Sequence, residues 1–224
     1  MAKILLIETS TALCSVALEI DGKAIASRRS DIARPHASLT AVFCDEVLKE
    51  AGLSASTLDA VCISEGPGSY TGLRVGLSTA KGLCFGAGIR LLSVCSLDIL
   101  AEMAKTAEDF DSKWIVPMID ARRMEVYTAL YDSTGERRSP VEAKVIDSGS
   151  FSDIASGCTF IGDGAVKCKD TISGGKFVEA FPEAVAMTSL AEREYAAGAW
   201  RDVAYFEPFY LKDFVVTTSK KKLF

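Results

Sequence analysis

The stretch Glu65–Gly86, EGPGSYTGLRVGLSTAKGLCFG, decides the fold because it joins an apolar run to a glycine-rich loop and a helical pattern. The run AVCIS at residues 60–64 predicts a buried strand, and residues 71–85 predict a helix that Gly86 and Gly88 end. A strand that passes through such a loop into a helix places backbone N–H groups where an anion can bind. The loop can equally be a tight turn. A phosphate site, a catalytic loop and a protein interface therefore all stay open.

The loop matches neither of the common nucleotide-binding motifs. A P-loop ends in Gly-Lys-Ser/Thr, whereas here Gly72 is followed by Leu73 and Arg74, and the G-x-G-x-x-G spacing is absent. The sequence GPGSY also differs from the G-x-S-x-G motif of hydrolases. Glycines together with Ser69 or Thr71 as a helix cap are a weak signal for an anion site.

The helix that follows carries two stripes of small residues spaced four apart: Gly72, Gly76 and Ala80, and Ser78, Gly82 and Gly86. Glycine inside a helix costs about 1 kcal/mol relative to alanine, so repeated glycines indicate close approach of another element. That element is either part of this chain or a helix of a partner. The mean hydropathy of +0.21 favours a surface that a partner covers. We therefore expect Gly76→Leu to abolish association and to leave the fold mostly intact.

The rest of the chain alternates strands and helices, which predicts an α/β fold with mixed sheets. The first half has these further elements: strands at residues 3–7, 14–20, 24–29 and 89–96, and helices at 35–48 and 96–105. Asp21–Lys23 predicts a hairpin turn, Pro35 opens the first of these helices, and Ser96 is the expected N-cap of the second.

The second half begins by repeating the order of elements at the N-terminus. The strand Ile115–Ile119 is followed by DARR and EVYTALYD, as ILLI is followed by ETST and CSVALEI. This likeness predicts two related halves, residues 1–105 and 106–224. The second half is poorer in helical pattern. Its later elements are a strand and glycine turn at Cys158–Ala165, a helix at Leu190–Trp200 and an extended segment, FEPFYLK.

Composition argues against several classes of protein. A net charge of −5 disfavours broad nucleic-acid binding by this chain alone, and its one basic cluster, Lys220–Lys222, is interpreted as a solvated tail, with contact to tRNA as the alternative. No apolar run reaches the roughly 20 residues that a membrane helix needs, and ILLI is too short for a signal-peptide core. The seven scattered cysteines predict buried free thiols in a reducing, cytoplasmic setting.

Few residues suit catalysis. His36 is the only histidine, so the sequence marks neither a catalytic triad nor a metal site, and we predict no catalytic residue and no metal. Glu8 and Asp120 occupy the two strand-turn positions, where a sugar-kinase-like protein carries acids near phosphate. Glu8, Thr9 and Ser10 are therefore candidate nucleotide-binding residues, although a turn-forming acid explains Glu8 as well.

Six segments together resemble one known family. In order they are ILLIETSTALCSVAL, GPGSYTGLRVGLSTAKGL, SVCSLDILA, MIDARRMEVYTALY, IGDGA and PFYLK, and they resemble the TsaB (YeaZ) family of tRNA threonylcarbamoyladenosine biosynthesis proteins over essentially the whole chain. The resemblance implies two actin-like (ASKHA; acetate kinase, Hsc70, actin) subdomains, each a mixed sheet with helices. It also implies a scaffold or activator subunit of the complex that transfers a threonylcarbamoyl group to the adenosine beside the tRNA anticodon.

The resemblance further implies partners. The catalytic paralogue TsaD and the ATPase TsaE are the expected partners, and a second copy of the chain takes the place of TsaD when TsaD is missing. Contact with tRNA is expected only through the complex, and no contact with a membrane is expected. The resemblance places the interface on the N-terminal half, and the predicted interface residues are Gly68, Thr71, Gly72, Arg74, Val75, Gly76, Thr79 and Ala80, with His36, Leu39 and Phe43. Apart from ATP or ADP at that interface, no cofactor is expected.

The chain departs from the related patterns at two points. TsaD carries a metal-binding H-x-x-x-H, which this chain lacks, and Glu8 stands where many relatives have aspartate. Both departures point to a catalytic partner. The alternatives are a glycoprotein endopeptidase-like hydrolase, an ATP-dependent enzyme of the actin-like fold and a stand-alone tRNA binder.

Overall fold

The computed structural model describes residues 2–30 and 36–212, which form two mixed sheets with helices packed on them. The α/β fold class is therefore confirmed. The elements of the first half are β1 (Lys3–Glu8), β2 (Cys14–Ile20), β3 (Lys23–Ser30), α1 (His36–Glu50), β4 (Ala60–Gly66), α2 (Tyr70–Ala87), β5 (Arg90–Cys95) and α3 (Ser96–Lys105). The predicted helix start at Pro35 and the basic cluster Lys220–Lys222 lie outside the described residues.

The second half adds seven strands or helices. They are β6 (Trp114–Asp120), β7 (Glu125–Thr128), β8 (Tyr131–Asp132), β9 (Glu142–Val145), β10 (Cys158–Ile161), β11 (Lys176–Val178) and α4 (Thr188–Ala196). The strand predicted for EVYTALYD is thus split into β7 and β8, and the helix predicted to reach Trp200 ends at Ala196, before Gly198 at φ +64°.

The two sheets share one topology. The first has the order β3-β2-β1-β4-β5 and the second β9-β7-β6-β10-β11, with β8 beside β6. In each sheet the leading strand pairs antiparallel with the next strand and parallel with the fourth of the order. This correspondence explains why ILLI-ETST-CSVALEI and the segment from Ile115 onwards have similar sequences.

Side chains of β1 alternate between two apolar cores. Leu5 and Ile7 pack beneath α1 and α2, whereas Ile4 and Leu6 pack on the opposite face with residues of α4. A strand that is covered on both faces has a continuous run of apolar residues, which is why KILLI could be recognised as a strand. All seven cysteines are buried and free, as predicted.

The end of the described chain returns to the first sheet. Leu190 and Ala191 of α4 belong to the same apolar core as Ile4 and Leu6 of β1. Arg201 forms an antiparallel β-bridge with Leu91 of β5. Residue 105 lies between the strands of the two sheets, whereas α4 and Arg201, which follow the second sheet in sequence, contact the first sheet. The division into residues 1–105 and 106–224 stays a prediction. The apolar side chains of α4 fill the face that α1 and α2 leave open.

The contact of α4 with the first sheet contains a pair of carboxyl groups. Glu19 is fully buried, and burial next to the Glu192 carboxyl raises its pKa to about 8. Glu19 Oε2 and Glu192 Oε1 are buried with no hydrogen-bond partner in the described part of the chain.

The start of α3 corrects another prediction. Ser96 is the first residue of the helix and Cys95 is the N-cap, with no side-chain cap hydrogen bond. Ser96 Oγ is buried without a partner among residues 2–30 and 36–212. None of the helices within those residues is long and apolar enough to span a bilayer.

Candidate partner interface and the buried corner beneath it

The inner face of α2 lies on the turn that follows β1. A Cβ atom added to Gly68, Gly72 or Gly76 would lie less than 3.0 Å from Ser10 O, Thr9 O or Thr9 Oγ1, respectively, closer than Cβ atoms approach such atoms. Ser69 N donates a hydrogen bond to Ser10 O over 2.6 Å, which fixes the helix to the turn. These glycines therefore permit close approach of two backbones within this one chain.

This packing corrects the predicted interface. Gly72, Gly76, Ala80 and His36 are buried within the chain, so they cannot form a partner-facing stripe. The expectation that Gly76→Leu leaves the fold mostly intact is wrong for the same reason, because a side chain there would overlap Thr9. Gly68 is half-buried against Ser10.

The candidate nucleotide-binding residues lie under this helix. Glu8, Thr9 and Ser10 expose at most 1% of their surface, so in this conformation no phosphate can reach them. Burial raises the pKa of Glu8 from its ordinary value of 4.5 to about 7, and the neighbouring Asp163 carboxylate adds to this, while hydrogen bonds from Ser10 and Ser64 oppose it. Ser10 N donates to Glu8 Oε1 over 2.9 Å. Glu8 therefore has the contacts of a turn-forming acid.

The end of β6 in the second half corresponds in position to the end of β1 in the first half. Asp120 is exposed and accepts a hydrogen bond from Arg122 N over 2.9 Å, and Lys167 pairs with it. Asp163 accepts a hydrogen bond from Asp120 N over 2.9 Å, and its pKa is raised by burial. Within residues 2–30 and 36–212, no three or more His, Cys, Asp or Glu side chains form a group able to hold a metal ion.

The outer faces of α1 and α2 carry side chains that are exposed or half-buried with respect to the described residues. Thr71 and Arg74 of α2 are exposed, and Val75 and Thr79 are half-buried. On α1, which packs beside α2, Leu39 and Phe43 are half-buried. Val42, which the sequence analysis did not include, exposes 46% of its surface beside them. We call this set of residues the α1–α2 face.

Arg74 is held by aromatic rings at the N-terminal end of this face. Its guanidinium lies 4.0 Å from the centroid of the Tyr70 ring, and its Nε donates to Tyr210 Oη over 3.2 Å. The ring centroids of Tyr70 and Tyr210 are 4.8 Å apart. The segment predicted as FEPFYLK therefore lies along α2, where Phe209 N donates to Glu65 O over 2.7 Å.

Phe85 is an exposed aromatic residue that the sequence analysis did not name as a candidate. It lies near the C-terminal end of α2 and exposes 87% of its surface. At 3.6 residues per turn it falls within roughly 60° of arc with Thr71, Ser78 and Gly82, all of them exposed. The sequence contained a signal for its exposure, because an aromatic residue at this spacing shares a helix face with polar and small residues.

Comparisons with known proteins agree with this architecture. The family model described as TsaD, tRNA N6-adenosine threonylcarbamoyltransferase, matches residues 30–205. The structure of YeaZ from Pseudomonas aeruginosa is similar, with a TM-score of 0.83, 30% identity and coverage of 94% of this chain and 100% of that one. The two mixed sheets with helices of this chain are therefore the fold of YeaZ.

Several curated relatives share one name. The Escherichia coli tRNA threonylcarbamoyladenosine biosynthesis protein TsaB is 28% identical, over 94% of this chain and 95% of its own length. The Haemophilus influenzae protein of the same name is 37% identical over 125 residues, which are 55% of this chain and about half, 51%, of that protein. The chain belongs to the TsaB (YeaZ) family.

Proposed function

We propose that this chain is a non-catalytic scaffold or activator subunit in threonylcarbamoyl transfer to tRNA. In this proposal the chemistry occurs in a TsaD-like partner, which the α1–α2 face binds. A TsaE-like ATPase joins through that partner, tRNA is reached only in the complex, and the same face pairs two copies of the chain when the partner is missing. ATP or ADP, where needed, would sit at the partner interface.

The proposal rests on the difference between the buried Glu8–Ser10 turn and the exposed α1–α2 face. The Glu8–Ser10 turn, which would have to receive a nucleotide in an actin-like enzyme, is filled by the chain's own α2. The α1–α2 face, in contrast, exposes Val42, and Leu39, Phe43 and Val75 are half-buried on the same two helices. Exposed apolar side chains grouped on one surface are a feature of interaction sites.

A reconstituted drop-out assay tests the role. The adenylate-forming enzyme, TsaD, TsaE, tRNA, threonine, bicarbonate and ATP are combined with and without this chain, and modified adenosine is measured by mass spectrometry. We expect product only when both TsaD and this chain are present. Product in the absence of the chain, or product from the chain without TsaD, would contradict the proposal.

A pair of matched variants tests the surface. Val42→Asp places a charge on the α1–α2 face, and Val145→Asp places one on β9 of the second sheet, where Val145 is 68% exposed. We expect Val42→Asp to prevent co-elution with TsaD and to reduce product, and Val145→Asp to behave as the wild type. Equal behaviour of the two variants would remove the α1–α2 face from the proposal.

A further inference from the structure

A cavity of about 670 Å³ opens beside the C-terminal half of α2, beyond the α1–α2 face. It lies between α2 and the returning segment at residues 201–204, and its walls include Lys81, Gly82, Phe85, Arg90 and Arg201. A volume of this size is within the range of roughly 300–1,000 Å³ typical of binding pockets.

The α2 wall of the cavity is shaped for close approach. A Cβ atom at Gly82 or Gly86 would have no neighbour within 4 Å among residues 2–30 and 36–212, so packing against those residues does not require glycine at either position. Phe85 projects between them with 87% of its surface exposed. Removing so exposed an aromatic side chain from water is favourable, so the binding of a partner that covers Phe85 would be stabilised by that contact.

The electrostatics of the cavity are positive although the chain carries a net charge of −5. Neither Lys81 nor Arg90 forms an ion pair with a carboxylate in the parts of the chain that the structure covers; Lys81 Nζ donates to Ala204 O over 3.0 Å. Arg201 is partly neutralised by Glu65, 3.8 Å away. The Asp202 carboxylate also lines the cavity and accepts hydrogen bonds from the backbone N–H groups of residues 204 and 205, so three cations face one lining carboxylate.

We propose that this cavity is a second docking point for the catalytic partner and that it receives a segment in which an apolar side chain lies next to a carboxylate. The apolar side chain packs against Phe85, and the carboxylate pairs with Arg90 and Lys81. The inference rests on the proposed function, because the cavity continues the outer line of α2 from Thr71 through Ser78 and Gly82.

A protein segment suits this cavity better than RNA. Binding to a phosphate backbone depends on neutralising many phosphates along a basic face. Here there are three cations at the cavity, and one of them is close to a carboxylate. An exposed aromatic residue beside arginine is, in contrast, the composition of the dominant residues in protein–protein interfaces.

Titration calorimetry of the full chain with TsaD tests the proposal. We expect Phe85→Ala and Arg90→Glu each to raise the Kd about tenfold or more, and we expect the wild-type affinity to fall as salt rises, less steeply for Arg90→Glu. The matched controls are Val145→Ala and Lys169→Glu, exposed positions in the second half. Both should bind as the wild type, and circular dichroism should show that every variant is folded.

Three outcomes would count against this inference or its basis. A Kd within twofold of wild type for both variants, with Val42→Asp still defective, would confine docking to the α1–α2 face and overturn the second site. Loss of tRNA retardation in a gel with Arg90→Glu, at unchanged affinity for TsaD, would assign the cavity to RNA instead. Absence of any binding between the wild-type chain and TsaD would refute the proposed function itself.

Discussion

The two faces of α2 use small residues for opposite purposes. On the inner face, Gly72 and Gly76 touch the turn after β1 so closely that no other side chain fits. On the outer face, a Cβ atom added at Gly82 or Gly86 would meet no atom of the described residues within 4 Å, and the neighbouring Phe85 is exposed. The same spacing of glycines therefore marks an intramolecular contact in one half of the helix and an uncovered surface in the other.

The largest effect is expected from a substitution that disrupts the contact between the inner face of α2 and the turn after β1. Gly72→Ala places a methyl group against Thr9 O, a backbone atom that cannot rotate away. We expect it to lower the free energy of unfolding by about 3 kcal/mol, despite the better helix propensity of alanine. Urea denaturation followed by circular dichroism measures this loss. A variant as stable as the wild type would show that the helix and the turn are not in tight contact.

The next effect concerns the acid under the inner face. Because the pKa of Glu8 is raised to about 7 in the folded state, the folded chain binds a proton that the unfolded chain has released above about pH 4.5. Stability is therefore lost as pH rises from about 4.5 to about 7, by about 3 kcal/mol in total. Glu8→Gln should stabilise the chain at pH 7.5 and change little at pH 4.5.

Urea titrations at the two pH values measure this difference. Glu108→Gln, at an exposed position, is the matched control and should have the same effect at both pH values. Glu19, with its pKa raised to about 8, keeps part of the pH dependence in every variant. If Glu8→Gln behaved like the control, Glu8 would not be a buried, protonated group.

A smaller effect, on the outer face of α2, tests the difference between the two faces. Gly82→Ala is the same change as Gly72→Ala on the same helix, but here the methyl group meets open space. We expect the isolated chain to gain up to about 1 kcal/mol of stability, because alanine favours the helix over glycine. The sign of the change is what matters. Loss of stability in urea would mean that Gly82, too, packs within the chain.

The smallest effect is expected at Phe85. Since its side chain is 87% exposed, Phe85→Ala should change the free energy of unfolding by no more than about 0.5 kcal/mol. Thermal melting of the isolated chain checks this. A drop of several degrees would show that Phe85 supports the fold and would weaken its assignment to a docking surface.

The sequence predicted the elements better than it predicted their contacts. KILLI, AVCIS and the Asp21–Lys23 turn were recognised because apolar runs and hairpin turns are local signals. The inner stripe was assigned to a partner because spacing along a helix shows which residues share a face, but not what covers that face. The contacts of Arg74 with Tyr210 and of Glu19 with Glu192 join residues far apart in sequence, so no local pattern contained them.

The return of α4 to the first sheet has a consequence for biosynthesis. The face of β1 that carries Ile4 and Leu6 is closed by Leu190 and Ala191, which leave the ribosome almost 200 residues later. Contacts between such distant residues slow folding, because a long loop must be closed before they can form. One face of the first sheet therefore stays uncovered by α4 until the second sheet has been synthesised.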